Sequence, residues 1–383
     1  MGRYAVLADR FYFPTHTLDG GYLLVEDGMF GEHVEKEPDC EILDRRGCHV
    51  APGFVDTHIH GYGDCDVMDG TWDSVHTIAK RILENGVTSW LPTTLTATAE
   101  QLDAACHGVA DRIDENTGAR IQGIFLEGPF FTEKHKGAQN PAYLSAPAIE
   151  KLKRWQSSAK GLVKKIAIAA EFPDSPAFIR AAREMGVVVA LGHSDAGVSD
   201  ALHCLDAGAR VFVHTYNGMS PLHHREPGMV GAALYSGHRT YSELICDGHH
   251  VNPIAASIVM QCKGHDHCVL ITDCMRAGGM PDGDYLLGEL PVVVAGGTAR
   301  LKDAGSLAGS ILRLNDAVKH VVAWGIATPA QAIDMATRVA AEANEIGDVC
   351  GSIQAGRAAD FVVLEPDLTL SETFLGGKSV YRR

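Results

Sequence analysis

Between about residues 51 and 345 the chain alternates short apolar runs with longer amphipathic stretches. The runs are 50–60 (VAPGFVDTHIH), 87–95 (VTSWLPTTL), 121–130 (IQGIFLEGPF), 164–171 (KKIAIAAE), 187–194 (VVVALGHS), 210–217 (RVFVHTYN), 241–250 (YSELICDGHH) and 268–274 (CVLITDC). Between them lie stretches of helical period such as WDSVHTIAKRILENG and SPAFIRAAREMG, both closed by the Gly that commonly caps a helix. Eight strands alternating with helices predict a (β/α)₈ barrel, and the segment has the length of one. The two ends of the chain follow another pattern. YAVLADRFYF, YLLVEDG and Cys40 to Val50 alternate and are broken by Gly and Asp, and GSIQAGRAADFVVLEPD and GGKSVYRR behave likewise. The expected organisation is α/β: a (β/α)₈ barrel over 51–345, with a small β-sandwich built from 1–50 and 346–383.

Composition narrows the partners. The 383 residues are 46% hydrophobic and 21% charged, which supports a large core and excludes general disorder. Lys and Arg number 33 against 48 Asp and Glu, a formal charge of −15. Nucleic acids and anionic membranes are bound chiefly by basic surfaces, so neither is an expected partner. An anionic ligand would have to be met by a few local cations. No run approaches the roughly 18 apolar residues of a membrane helix. The start, MGRYAVLADRF, lacks a signal-peptide pattern, and Val6 stands where myristoylation requires Ser or Thr. Ten cysteines without a CxxC pair read as reduced, mostly buried thiols of a cytoplasmic protein. Cys262-KGHDH-Cys268 has metal-ligand residue types, but it directly precedes an apolar run and reads as a loop entering a strand.

The 19 histidines change the picture, because of where they sit. Most runs finish in His or an acid: His58 with His60, then Glu127, His193, His214 and Asp273. The C-terminal strand ends of a barrel line its active site and focus such groups on one point. Alternate strand residues face the same way, so His58 and His60 both point inward around Ile59. Imidazoles with a carboxylate are the usual ligands of borderline divalent metals. A lone HxH is weak evidence, but five ligand-type residues at four strand ends predict a metal centre. A carboxylate beside an activated water can take its proton and pass it to a leaving group, the role expected of Asp273. Capping the following helix is the bland alternative for that residue.

PGFVDTHIHG, LEGPF with KGAQNP, GHSDA, HTYNGMSPLHHREPG, DGHHV, SLAGS and the closing GSIQAGRAADFVV together resemble the N-acetylglucosamine-6-phosphate deacetylases of the metal-dependent amidohydrolase superfamily. The likeness covers nearly the whole chain in the family's order. It implies that Glu127, His193 and His214 hold the principal divalent metal and that His58 and His60 match a second-metal pair. It implies one or two ions per subunit, zinc foremost, with iron, manganese and cobalt as alternatives. Asp273 matches the catalytic acid/base. Ala138, Asn217, Gly218, Leu307, Ala308 and Gly309 match positions that contact the sugar. Arg225 and His250 match residues that grip the 6-phosphate, one of them supplied across a homodimer with a shared active site. A guanidinium fork suits a phosphate in so acidic a chain. His249 is expected to face away from His250 on a strand, and His223 and His224 to be solvent-side.

One position departs from the pattern. Gln139 stands where some members carry His, placed to reach the substrate's carbonyl or hydroxyl groups; Gln donates a hydrogen bond but cannot become cationic. The activity the resemblance implies is hydrolysis of the acetamide of N-acetylglucosamine 6-phosphate to glucosamine 6-phosphate and acetate. The rivals are the galactosamine epimer, another amide hydrolase of the superfamily, and a non-catalytic barrel scaffold, which should have lost ligands that this chain keeps.

Overall fold

The computed structural model describes residues 2–383. Eight strand–helix units run in order along the chain. The strands are β1 (Phe54–Ile59), β2 (Val87–Pro92), β3 (Ile124–Glu127), β4 (Val163–Ile168), β5 (Val188–Leu191), β6 (Val211–Phe212), β7 (Tyr241–Leu244) and β8 (Cys268–Leu270). The helices that follow them are α1 (Trp72–Arg81), α2 (Ala99–Ala110), α3 (Ile149–Ser158), α4 (Ser175–Glu184), α5 (Val198–Asp206), α6 (Gly228–Tyr235), α7 (Pro253–Lys263) and α8 (Leu314–Ala323). β3 to β8 form one parallel sheet, and β1 pairs in parallel with β2. Parallel bridges Thr93–Phe125 and Ile59–Cys274 join β2 to β3 and β8 to β1, which completes the ring.

Local chemistry explains the elements. In α1 the buried residues are Trp72, Val75, Ile78 and Ala79, one apolar stripe at helical spacing facing the barrel. Thr71 caps the helix by accepting from Ser74 N, and Gly86, just past its 3₁₀ extension, takes φ 79°. Thr98 and Gln101 cap α2 reciprocally. Inside the ring the strands are buried on both faces and so read as continuous apolar runs.

Strands from the two ends of the chain share one eight-stranded sheet. The ends meet where Phe361–Leu364 pairs antiparallel with His49–Pro52. Alternation sends Phe361 and Val363 into a small core with Val6, Phe11 and Phe374, while Val362 and Leu364 join the barrel core. The terminal sheet is thereby fastened to the barrel side.

A three-stranded antiparallel meander (Gly283–Leu287, Leu290–Ala295, Thr298–Leu301) lies between β8 and α8 and is absent from the elements expected above. In Leu290–Ala295 only Val292 and Val294 are buried, but Val293 and Ala295 on the outer face are also apolar, which hides the period of two. The meander packs on Leu95, Met275 and Ala308 beside the barrel mouth. No helix among the described residues is long and apolar enough to cross a membrane.

Candidate metal centre and active site

His58 lies on β1 with His60 just past it, and Glu127 ends β3. His193, His214 and Asp273 follow β5, β6 and β8, with φ of 46°, 27° and 49°. This left-handed backbone is costly for residues with a Cβ, and it persists where the surrounding structure holds it, as functional sites commonly do. At each of these three ends it turns the side chain into the barrel mouth rather than along the strand.

The six side chains converge on one point. Glu127 Oε1 is 3.0 Å from His214 Nε2, 3.3 Å from His193 Nε2 and 3.2 Å from His58 Nε2. His193 Nε2 and His214 Nε2 are 3.1 Å apart. His60 Nε2 lies 3.4 Å from Glu127 Oε2 and 3.1 Å from Asp273 Oδ1. All six side chains are buried.

The outer ring nitrogens decide what the inner ones offer. His193 Nδ1 donates to the His135 carbonyl at 3.0 Å, and His214 Nδ1 to that of Asn217 at 3.1 Å. His60 Nδ1 donates to the Thr93 carbonyl at 3.2 Å, and His58 Nδ1 to Glu243 Oε2 at 3.0 Å. A neutral imidazole carrying its proton on Nδ1 presents a lone pair at Nε2. Four lone pairs and two carboxylates thus face one another, and among the described residues His58 Nε2 is buried with no hydrogen-bond partner. Such an arrangement is repulsive unless a cation sits among the donors. Glu127–His193–His214 and His58–His60–Glu127 are both sets whose donors could hold a metal ion.

The electrostatics agree. Burial alone would raise the Asp273 and Glu127 carboxyls, but the surrounding histidines hold both below the usual carboxylate range, Glu127 well below it. Burial would lower His58, yet Glu127 and Asp273 bring it up to about 9 and raise His60 as well. Two buried carboxylates demand positive charge at this spot, and protons on His58 and His60 supply it when no cation does.

Two residues behind this cluster escaped the sequence reading. Lys165 on β4 and Glu243 on β7 form a fully buried ion pair, and Glu243 is the acceptor that orients His58. Lys165 Nζ also sits 3.9 Å over the Phe125 ring. The only local signal was a charge inside each apolar run, KKIAIAAE and YSELICDGHH. Asp56 ties β1 to β8 by accepting from Thr272 Oγ1 at 2.6 Å, and burial raises its carboxyl to about 6.

A cavity of about 300 Å³ opens above the cluster. His60, Glu127, His193, His214 and Asp273 form its floor, and Ala138, Gln139, Asn217, Gly218, His250, Leu307 and Gly309 line it. Gly137, Leu95, Leu287 and Ser306, which sequence reasoning did not select, line it too. At Gly218 (φ 62°) a Cβ would come within 2.9 Å of His193 Nδ1, so the close approach there requires glycine.

One expectation, that His249 and His250 lie on a strand, needs correction, and Arg225, Ala308 and Gln139 sit in settings that the sequence left open. Arg225 is exposed, bonded to His224 at 2.8 Å, and not part of the cavity of its own chain. Ala308 is fully buried in the core beneath the meander, with Leu307 and Gly309 reaching the cavity on either side. His249 and His250 are not on a strand: β7 ends at Leu244, and Asp247 turns the chain by accepting from both of their backbone amides at 2.8 Å. That turn, rather than strand alternation, separates exposed His249 from His250, whose Nδ1 bonds Asp247 at 2.7 Å. Gln139 has a task besides any substrate contact, since one of its two Nε2 hydrogens is committed within the chain. Its Nε2 donates to Glu127 Oε2 at 2.8 Å and its Oε1 accepts from Thr96 N at 2.9 Å, so both ends are engaged in holding Glu127.

The amidohydrolase-family model matches residues 49–380. An N-acetylglucosamine-6-phosphate deacetylase of Vibrio furnissii is 41% identical over 333 residues, 87% of this chain and 83% of that protein. An N-acetylgalactosamine-6-phosphate deacetylase of Escherichia coli O157:H7 is 38% identical over 375 residues, 95% of this chain and 99% of that one. Among solved structures, a mutant N-acetyl-D-glucosamine-6-phosphate deacetylase of Mycobacterium smegmatis in complex with N-acetyl-D-glucosamine-6-phosphate superposes with a TM-score of 0.94 at 30% identity, covering 99% of this chain and 100% of that one.

Proposed function

This chain belongs to the amidohydrolase family, and on that premise we propose that it hydrolyses the acetamide of N-acetylglucosamine 6-phosphate to glucosamine 6-phosphate and acetate. The observation that carries the reading is the convergence of four inward lone pairs with Glu127 and Asp273 on the floor of one cavity. Acetate release from N-acetylglucosamine 6-phosphate, from its galactosamine epimer and from the unphosphorylated sugar tests it. The first substrate should be preferred. Preference for the epimer would favour the second reading, which the 38% identical relative supports over nearly its full length. Indifference to the phosphate would point to another amide hydrolase of the family.

The donor set suits a borderline divalent ion, zinc foremost, held by Glu127, His193 and His214. Such an ion supplies Lewis acidity, which lowers the pKa of water and polarises a carbonyl oxygen. The chain's own groups do the rest. Asp273, ionised and lining the cavity, accepts the proton of the attacking water and returns it to the departing amine nitrogen. Without that proton an amide nitrogen is a very poor leaving group. His135, Asn217 and Thr93 fix the ring tautomers through their carbonyls, and Gln139 fixes Glu127.

Glu127 Oε1 faces His58, His193 and His214 while Oε2 faces His60, and the donors of His58, His60 and Glu127 lie close enough to share an ion, which supports room for a second one there. Protein purified from metal-supplemented medium should contain one equivalent more than its His58→Ala/His60→Ala variant by elemental analysis. Equal content would confine that pair to orienting water around a single ion.

The phosphate grip is what one chain leaves incomplete: His250 lines the cavity and Arg225 does not. We assign Arg225 to the neighbouring subunit's cavity in a homodimer. Leu222, Tyr235, Ile254 and Ile258, exposed by 56, 78, 73 and 43%, lie on the loop that carries Arg225 and on α6 and α7, which pack on each other. These apolar side chains are suited to a second copy of the chain. Arg225→Ala should lower kcat/KM for the phosphorylated sugar by roughly one to two decades, since a hydrogen bond to a charged group contributes about 1.5–3 kcal/mol. Activity on the unphosphorylated sugar should hardly change. Mixed dimers of Arg225→Ala and Asp273→Asn chains should regain activity, and no rescue in a verified mixed dimer would place Arg225 outside a shared site. Ten free cysteines, six of them buried, agree with a cytoplasmic setting.

A further inference from the structure

The histidine-rich stretch between Cys262 and Cys268 acquires a new meaning in three dimensions. Neither cysteine takes part: Cys268 is buried in β8 and Cys262 is exposed at the end of α7. Instead Asp266 and His267, in the 3₁₀ turn leading into β8, meet His238 from the 3₁₀ turn leading into β7. Both turns lie at the N-terminal strand ends, the opposite mouth of the barrel from the active site.

His238 Nδ1 is 3.2 Å from His267 Nδ1 and 3.7 Å from Asp266 Oδ1, and His267 Nδ1 is 3.1 Å from the same oxygen. A tetrahedral zinc-class ion with ligands at ~2.1 Å sets neighbouring donors ~3.4 Å apart. The three edges bracket that value, and the edges of the Glu127–His193–His214 triangle, 3.0, 3.1 and 3.3 Å, lie just below it. The placement is built rather than incidental. The His267 ring is stacked on Tyr241, the first residue of β7, at 4.9 Å and 19°. Gly264, at φ 76°, leaves the room, because a Cβ there would come within 2.5 Å of Asp266 Oδ1 and 2.9 Å of the His238 ring.

We infer that His238, Asp266 and His267 form a second, structural site for a borderline divalent transition ion that clamps the starts of β7 and β8. Two imidazole nitrogens to one carboxylate oxygen select zinc, cobalt, nickel or copper over calcium or magnesium. The fourth position faces solvent, so water completes the coordination. An ion bound only by the folded chain stabilises it by mass action.

The test compares full-length protein from zinc-supplemented medium with its His238→Ala/His267→Ala variant. Elemental analysis should find one equivalent fewer in the variant. Added zinc, but not calcium, should raise the melting temperature of the chelator-treated wild type by an increment that the variant lacks, with kcat and KM for deacetylation the same in both loaded proteins. A His193→Ala/His214→Ala variant should keep the extra equivalent, which separates this site from the barrel centre. Equal metal content in wild type and the His238→Ala/His267→Ala variant overturns the assignment. So does occupancy only at zinc concentrations far above those that fill the barrel centre, the behaviour of an adventitious surface pair.

Discussion

Asp273→Asn is expected to lower kcat for N-acetylglucosamine 6-phosphate by ~10²–10⁴-fold, the usual loss on removing a general acid/base. The change keeps shape and size but removes a carboxylate from the cavity floor, where Glu127 is the other among the described residues. Asn cannot take the proton of the attacking water, and it cannot return one to the amine. Because one residue serves both transfers, the loss should lie towards the upper end of that range. Metal content and thermal stability should stay at wild-type levels, since Glu127, His193 and His214 are untouched. Steady-state kinetics with elemental analysis on the same preparation decides the point. A variant keeping more than about a tenth of the wild-type rate would take Asp273 out of the proton path.

Lys165→Met should be the most destabilising single change around the site. It leaves the Glu243 carboxylate at zero exposure without its cation, and breaking a buried pair from one side costs about 3–5 kcal/mol. The loss should appear in urea unfolding of metal-free protein, where no bound ion masks it. Replacing both partners, Lys165→Met with Glu243→Leu, should recover most of that stability, because no buried charge is left uncompensated. It should not recover metal affinity, since His58 Nδ1 would have lost the acceptor that keeps Nε2 inward. Wild-type stability in the single variant would mean that water reaches Glu243. Wild-type metal binding in the double variant would mean that packing against Phe125 alone orients His58.

How much was legible from the chain depends on the range of the interaction concerned. The eight strand–helix units were legible because burial on both faces of a parallel strand, and on one stripe of its helix, writes a local pattern. The metal-type residues were legible for a related reason. A barrel places its chemistry at the C-terminal strand ends, so His58, His60, Glu127, His193, His214 and Asp273 stand at fixed places in that pattern. The resemblance to the deacetylases rested on the same local motifs.

Whatever depends on closure of the ring was not legible. Lys165 and Glu243 are 78 positions apart and meet His58 from two other strands, so no local period could announce them. Gln139 was legible as a cavity residue, but that its amide holds Glu127 follows from how its loop folds back over the mouth. The turn made by Asp247 governs His249 and His250, where strand alternation was expected. The central strand of the meander beside the mouth is apolar on both faces, so its period was hidden. Arg225 and Ala308 sit in recognisable motifs, yet one points to solvent and the other into a core. Which residue types stand at the ends of which elements follows from the order of residues alone, because short-range patterning writes it. Which of them touch, which nitrogen keeps its proton and which charge is left buried were decided by contacts between distant segments, and those exist only once the barrel has closed.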